Sequence, residues 1–222
     1  MTEAPEGFRQ YRFSPPAGAT TVLLLRHAES APAVPDRPFA LAGGHGDPEL
    51  HTDGHVQAAR LAARLQHEAI DAIYVTTLVR THQTAAPLAT ALGIEPQVEP
   101  ELREVFLGEW EGGLLRAKAT AGDPIFEQIF VQQRWDVIPG AEPLDAFHER
   151  TQRGLTRIVA AHPGRRVAVV THGGVIGQLL HHATGASRFA FGGADNASIS
   201  ELVVDGDRQI LRRFNDTTHL DA

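Results

Sequence analysis

Two stretches of the chain, "TVLLLRH" ending at His27 and "RRVAVVTH" ending at His172, are continuous apolar runs that each stop on a histidine. Neither alternates polar with apolar residues. A run of this length without alternation reads as a strand covered on both faces, the pattern of a parallel sheet buried between helices. "AIDAIYV", ending near Val75, reads as a third such strand. Between the runs, Ala58, Leu61, Ala62 and Leu65 recur at the helical interval and predict a helix from about Asp53 to His67. Ala85, Leu88, Ala89 and Leu92 form a second stripe, with Thr76 or Thr77 placed to cap it, Pro87 to kink it and Gly93 to end it. Near the end, "SISELVVDGDRQILRRF" reads as two strands turning at Asp205-Gly206. Strands alternating with helices predict an α/β chain, a three-layer α/β/α sandwich around a mostly parallel sheet with an antiparallel edge strand.

The remaining segments are placed around that frame. Ser30 to Pro48 contains four prolines and three glycines and reads as a long loop suited to lining a pocket. Pro96 to Pro143 predicts a helix around Phe126 to Trp135. Further helices are expected from Leu144 to Ala161 and across Ile176, Leu179, Leu180 and Ala183, the latter stopped by Gly185. Residues 1–222 read as one domain, with 1–20 as an N-terminal arm. The absence of cysteine excludes disulfides, thiolate nucleophiles and cysteine-held metals. A net charge of -7 argues against nucleic-acid binding through a general basic surface. No signal-peptide pattern opens the chain and no apolar run approaches the ~20 residues of a membrane helix. A cytoplasmic protein without membrane partners is the expectation.

In open α/β sheets ligands bind outside the carboxyl ends of the strands, where His27 and His172 both fall. Beside Arg26 they suggest an anion pocket. A neutral imidazole attacks phosphorus when one ring nitrogen is free and the other is held by a hydrogen bond. Guanidinium groups must then neutralise the phosphoryl oxygens, which their planar fork grips in pairs. Gly173 and Gly174, opening a helix after His172, offer backbone N–H groups to the same anion. An arginine-histidine pair by itself is weak evidence, since strand tips are often polar merely for solvation.

Six blocks in order resemble those of the histidine phosphatases, the phosphoglycerate-mutase-like superfamily. They are "LLLRHAES", "DPELHTDGHVQA", "TTLVRTHQTA", "LREVFLGEWEG", "PGAEP" and "VVTHGG", and "FNDTTHL" is familiar in shape. The resemblance implies a phosphoglycerate-mutase-like fold and a phosphatase acting on a small phosphomonoester. By position, His27 would be the nucleophile and Arg26 and Arg80 the phosphoryl clamp. His172 would hydrogen-bond the same oxygens, with Gly173 beside it. Glu104 would give a proton to the leaving oxygen and then take one from water. No metal or organic cofactor is implied, the cationic side chains standing in for magnesium. Three departures stand out: Ala28 replaces a glycine, His51 a threonine, and no asparagine occurs near Ala33, where many members have a phosphate contact. The helix cap is expected to move from His51 to Thr52 or Asp53.

A phosphoglycerate mutase would use the same residues, although the Ala- and Pro-rich loop favours hydrolysis. A non-catalytic phosphate-binding module would have lost His27, Arg26, Arg80 or His172, and no paired ligand motif supports a metal-dependent hydrolase. Glu101, Glu109 and Glu111 compete with Glu104, while Glu29 reads as a residue that orients an arginine. His181 and His182 point different ways around their helix. His45, His55, His67, His82, His148 and His162 read as surface or loop residues. Asn196, Asn215 and His219 read as pocket-shaping or edge-strand residues, and Trp110 and Trp135 as core. The terminal hairpin could pair two copies as a homodimer.

Overall fold

The computed structural model describes residues 10–34 and 36–221. Of the expected arm, residues 1–9 lie outside these, as does residue 35 of the long loop. Among the described residues eight strands run in chain order: β1 (Thr20–Arg26), β2 (Leu41–Ala42), β3 (His45–Gly46), β4 (Ala72–Val75), β5 (Gln97–Val98), β6 (Arg166–Thr171), β7 (Ile199–Asp205) and β8 (Arg208–Asp216). Six α-helices accompany them: α1 (Thr52–Leu65), α2 (Val79–Leu92), α3 (Leu114–Ala121), α4 (Pro124–Gln132), α5 (Leu144–Ala161) and α6 (Gly173–Thr184).

The main sheet has the order β5-β4-β6-β1-β7-β8. Its first four strands are mutually parallel, whereas β7 runs antiparallel to both β1 and β8. The expected architecture is therefore present. β1 and β6, the two runs that stop on histidine, are neighbours. Their register pairs Arg26 with Thr171, so His27 and His172 emerge side by side from the carboxyl edge.

Alternation along each strand sorts the apolar residues between faces. Leu23 and Leu25 join Ile73, Val75, Ala168 and Val170 beneath Leu61 and Leu65 of α1 and Leu88 of α2. Val22 and Leu24 go the other way, with Val167 and Val169, against Phe147 and Leu155 of α5 and Ile176 and Leu179 of α6. Each such burial contributes about 1.5–3 kcal/mol, and the double cover explains why these runs show no alternation. A smaller cluster of Trp110, Ile129 and Ile138 seats α3 and α4 beside the carboxyl edge.

Two capping expectations are corrected. The cap of α1 stays on His51, whose Nδ1 accepts from the Asp53 N–H at 3.3 Å. An imidazole nitrogen supplies here the acceptor that a hydroxyl usually gives. α2 takes Leu78, not Thr76 or Thr77, as its cap residue, which offers no side-chain acceptor, and Asp47 Oδ1 accepts from the Val79 N–H at 2.8 Å instead. Gly93, in the left-handed region, closes α2 as expected. In the middle region α4 stops at Gln132, short of Trp135, and α3 was not anticipated. None of its eight residues is buried; Leu114, Ala117 and Ala121 face an outer cleft instead.

Candidate active site

The floor of the site is built by the ends of β1 and β6 and by α2. His27 and His172 are buried, their rings 5.2 Å apart at 61°. The His27 N–H donates to Thr171 O at 2.9 Å, tying the two strand ends together. His27 Nδ1 lies 2.7 Å from Ala28 O. A carbonyl can only accept, so Nδ1 carries the proton and Nε2 keeps its lone pair. Burial, then the charges of Arg80 and Arg26, hold the His27 ring well below the usual imidazole pKa, so it is neutral at pH 7. Ala28 is buried and its N–H donates to Thr84 Oγ1 at 3.0 Å. Ala28 is not among the described residues at positive φ, so the alanine is accommodated where the family has glycine.

Arg26 and Arg80 flank the rings. Arg26 Nη1 donates to Ala194 O, and its Nε is buried without a partner among the described residues. An unpaired buried donor of a charged group costs free energy and is suited to an incoming anion. Arg80 Nη1 donates to Gly46 O at 3.0 Å and Nη2 to His172 Nδ1 at 3.3 Å. Burial lowers the pKa of both guanidiniums, and Glu104 opposes that shift in both. Glu104 therefore lies within electrostatic reach of each. Its Oε1 accepts from the Val105 N–H at 2.9 Å and its Oε2 from the Gly174 N–H at 3.3 Å. A Cβ on Gly174 would sit 2.5 Å from Oε1, so glycine there lets the carboxylate approach. Gly173 lies against the Arg26 guanidinium at the start of α6.

The structure thus brings together His27, Arg26, Arg80, His172, Glu104 and Gly173. Of the competing carboxylates, Glu101 pairs with Arg153 and Glu109 is exposed. Glu111 accepts from the Gly46 and Leu107 N–H groups, which fixes the loop that it lies on. Glu29 is exposed and attracts Arg116, in line with an arginine-orienting role.

Other groups of the site escaped the sequence reading. Arg150 of α5 is buried, and its five N–H groups meet five acceptors. Nε and Nη2 reach Glu142 at 2.6 and 2.8 Å, Nη1 reaches the carbonyls of Glu101 and Arg103 at 2.6 and 2.7 Å, and Nη2 also reaches Glu104 O at 2.9 Å. It braces the segment that presents Glu104. "PGAEP" was a signal for Glu142, but nothing marked its partner Arg150, nearly two turns into α5.

Thr76 was another omission. His172 Nε2 lies 3.0 Å from Thr76 Oγ1, which is also 3.2 Å from Thr81 Oγ1, and Thr81 donates to Leu78 O at 2.8 Å. With Arg80 donating to Nδ1, this chain assigns the His172 proton to Nε2.

His45, expected at the surface, is instead buried, facing Phe106 with its rings 5.4 Å apart, and lines the inner cleft with Arg80 and Glu104. The small β2–β3 hairpin, carried by Gly43 and Gly44 at positive φ, turns it inward. Among the asparagines, Asn196 Nδ2 donates to His27 O at 2.9 Å, while Asn215 braces Asp195. Trp110 is core, as expected, and also borders the inner cleft.

From the floor an outer cleft of about 980 Å³ opens between the Ser30–Pro48 loop and α3, lined by Pro32, Ala33, Leu114, Ala117 and Asn196. Glu29, which also lines this cleft, brings with His51 and Asp53 potential ligand atoms within 4.8 Å of one another. They are partly or fully exposed, and His51 Nδ1 already serves as a helix cap. Among the described residues no helix is long and apolar enough to cross a membrane.

A buried neutral imidazole between two guanidiniums, with a carboxylate alongside, defines a site for transferring a phosphoryl group. Residues 22–217 match the model of the histidine phosphatase superfamily, branch 1. Phosphoglycerate mutase-like protein 4 of Arabidopsis thaliana is 34% identical over 90% of this chain and 86% of its own length. Phosphoserine phosphatase 1 of Hydrogenobacter thermophilus is 30% identical over 90% and 93%. The structure of a mycobacterial glucosyl-3-phosphoglycerate phosphatase superposes with a TM-score of 0.74 at 27% identity, covering 90% of this chain and all of its own, 100%. The chain belongs to the histidine phosphatase superfamily and is an enzyme of the histidine phosphatase type.

Proposed function

We propose that the chain hydrolyses a small phosphomonoester through a phosphohistidine on His27. The observation that carries this reading is the His27 ring. It is neutral, its Nδ1 proton is fixed on Ala28 O, and it stands between Arg26 and Arg80. Nε2 attacks phosphorus in line as the ester P–O bond breaks, and Glu104 gives its proton to the leaving oxygen. Arg26, with its unpartnered Nε, and Arg80 take the phosphoryl oxygens, joined by the Gly173 N–H, while His172, its Nε2–H committed to Thr76, holds Arg80 through Nδ1 rather than bonding the oxygens itself. Glu104, now a carboxylate, takes a proton from water. The new P–O bond forms, the N–P bond breaks, and orthophosphate leaves.

Hydrolysis is favoured over mutase chemistry by the wide outer cleft, which lets water reach the floor. The relatives named for phosphoserine and for glucosyl-3-phosphoglycerate support a small phosphorylated metabolite as substrate.

The test is turnover of p-nitrophenyl phosphate with excess EDTA by the parent and by His27→Ala. EDTA-resistant turnover that vanishes in the variant is expected, with an acid-labile, alkali-stable phosphoryl adduct on the parent. Turnover surviving in His27→Ala would show that the nucleophile is wrong.

A further inference from the structure

We propose that Arg116 is a second anion-binding group of this site, taking a carboxylate carried by the leaving group close to the ester oxygen. This rests on the phosphomonoesterase reading and names a feature of its substrate. Arg116 lies on α3, the helix that the sequence did not announce. Its Nη1 donates to Ala31 O at 2.8 Å and its Nη2 to Ser30 Oγ at 2.7 Å, and the guanidinium stands 5.5 Å from the centre of the Phe39 ring. These contacts use two of five N–H groups and leave three to offer a ligand.

The backbone before Arg116 is equally fixed. Gly113 sits so close to the long loop that a Cβ there would be 2.8 Å from the Phe39 ring and 3.0 Å from Ala33. The side chain is thus held in place before any ligand arrives, and little further ordering is needed on binding.

Its position relative to the floor gives the role. Arg116 lines the inner cleft and the outer one, together with Arg26, His27, Glu111 and Gly113. Its charge acts on His27, Arg26 and Arg80, so it stands within electrostatic reach of the phosphoryl position. Apart from Arg26, it is the cation among the described residues lining the outer cleft. The walls around it are largely apolar (Pro32, Ala33, Leu114, Ala117), and the other charges are the carboxylates Glu29, Asp36 and Glu111. Glu111 already accepts from two backbone N–H groups. With the phosphate held by Arg26 and Arg80, a second negative group on the same substrate finds its partner in Arg116. Arg116 is itself exposed, so the strength of the pair comes from the side chain being fixed by Ser30 and Ala31 and not from exclusion of water.

Phosphoserine and phosphoethanolamine differ only by the carboxylate and make a matched pair. The expected result is that Arg116→Leu lowers the preference for phosphoserine, as the ratio of kcat/KM values, by about tenfold or more, the effect of losing a charge-assisted pair. Arg116→Lys should retain part of that preference. A ratio unchanged by Arg116→Leu, whether both substrates weaken together or neither does, overturns the proposal. Calorimetric binding of the same two compounds to His27→Ala protein, with and without Arg116→Leu, reads the carboxylate without turnover. A binding preference that Arg116→Leu removes, in a protein whose parent turns over neither compound, sinks only the phosphatase reading. No binding preference for phosphoserine sinks the assignment of Arg116.

Discussion

Arg150 is the residue whose loss should couple stability to catalysis most directly. Replacing it with methionine keeps the aliphatic bulk beside Phe147 but removes all five donors. The Glu142 carboxylate and the carbonyls of Glu101, Arg103 and Glu104 then lose their partner in a buried position. Removing one member of a buried ion pair costs about 3–5 kcal/mol, against a total stability of about 5–15 kcal/mol for an ordinary domain. Urea unfolding should show that loss. Turnover of p-nitrophenyl phosphate should fall as well, by about 100-fold if the freed segment lets Glu104 drift by 1 Å. The double variant Arg150→Met/Glu142→Met should regain part of the stability, because no unpaired charge remains, yet should stay slow, since the carbonyls are still unbraced. Arg150→Lys should rescue neither fully, because an ammonium cannot span five acceptors. An Arg150→Met protein within about 1 kcal/mol of the parent, or with parental turnover, would refute the bracing role.

Two further predictions concern the histidines. Thr76→Val leaves the His172 Nε2–H buried without an acceptor, at a cost of about 1–3 kcal/mol. The kcat/KM against pH profile should shift and fall with it, and Thr76→Ser should restore both; a valine variant matching the parent would remove Thr76 from the site. The folded-state pKa values of His27 and His172 lie well below 6.5, first because of burial and then because of Arg80. The unfolded chain therefore takes up protons first on acidification. The associated stability is full above about pH 6.5 and is lost as pH falls from there towards the depressed folded values, by up to about 1.4 kcal/mol per pH unit for each ring. His27→Asn should flatten the fall in melting temperature between pH 7.5 and 5, and parallel curves for variant and parent would contradict it.

The blocks that carry chemistry were legible because each is a short stretch whose backbone setting is local. Arg26 and His27 end a strand, His172 and Gly173 start a helix, and Arg80 is the second residue of α2. Glu104 was chosen among four carboxylates by its place in a block, and the fold sets it within electrostatic reach of both guanidiniums. His45 was misjudged because burial of a hairpin tip depends on what packs over it, here Phe106. α3 was missed because it is a short helix whose apolar residues, Leu114, Ala117 and Ala121, face a cleft and are not buried in the core.

By itself the sequence determined the layered α/β architecture, since doubly covered strands and one-faced helices leave few other ways to bury their apolar residues. It also determined the nucleophile and its clamp, whose neighbours in the chain set their geometry. Only the tertiary structure decided the contacts across the chain: Arg150 on the carbonyls before Glu104, Thr76 on His172, and Arg116 against Ser30 across 86 residues. The physical reason is that a hydrogen bond depends on distances of a few ångströms in space, and separation along the chain does not report them.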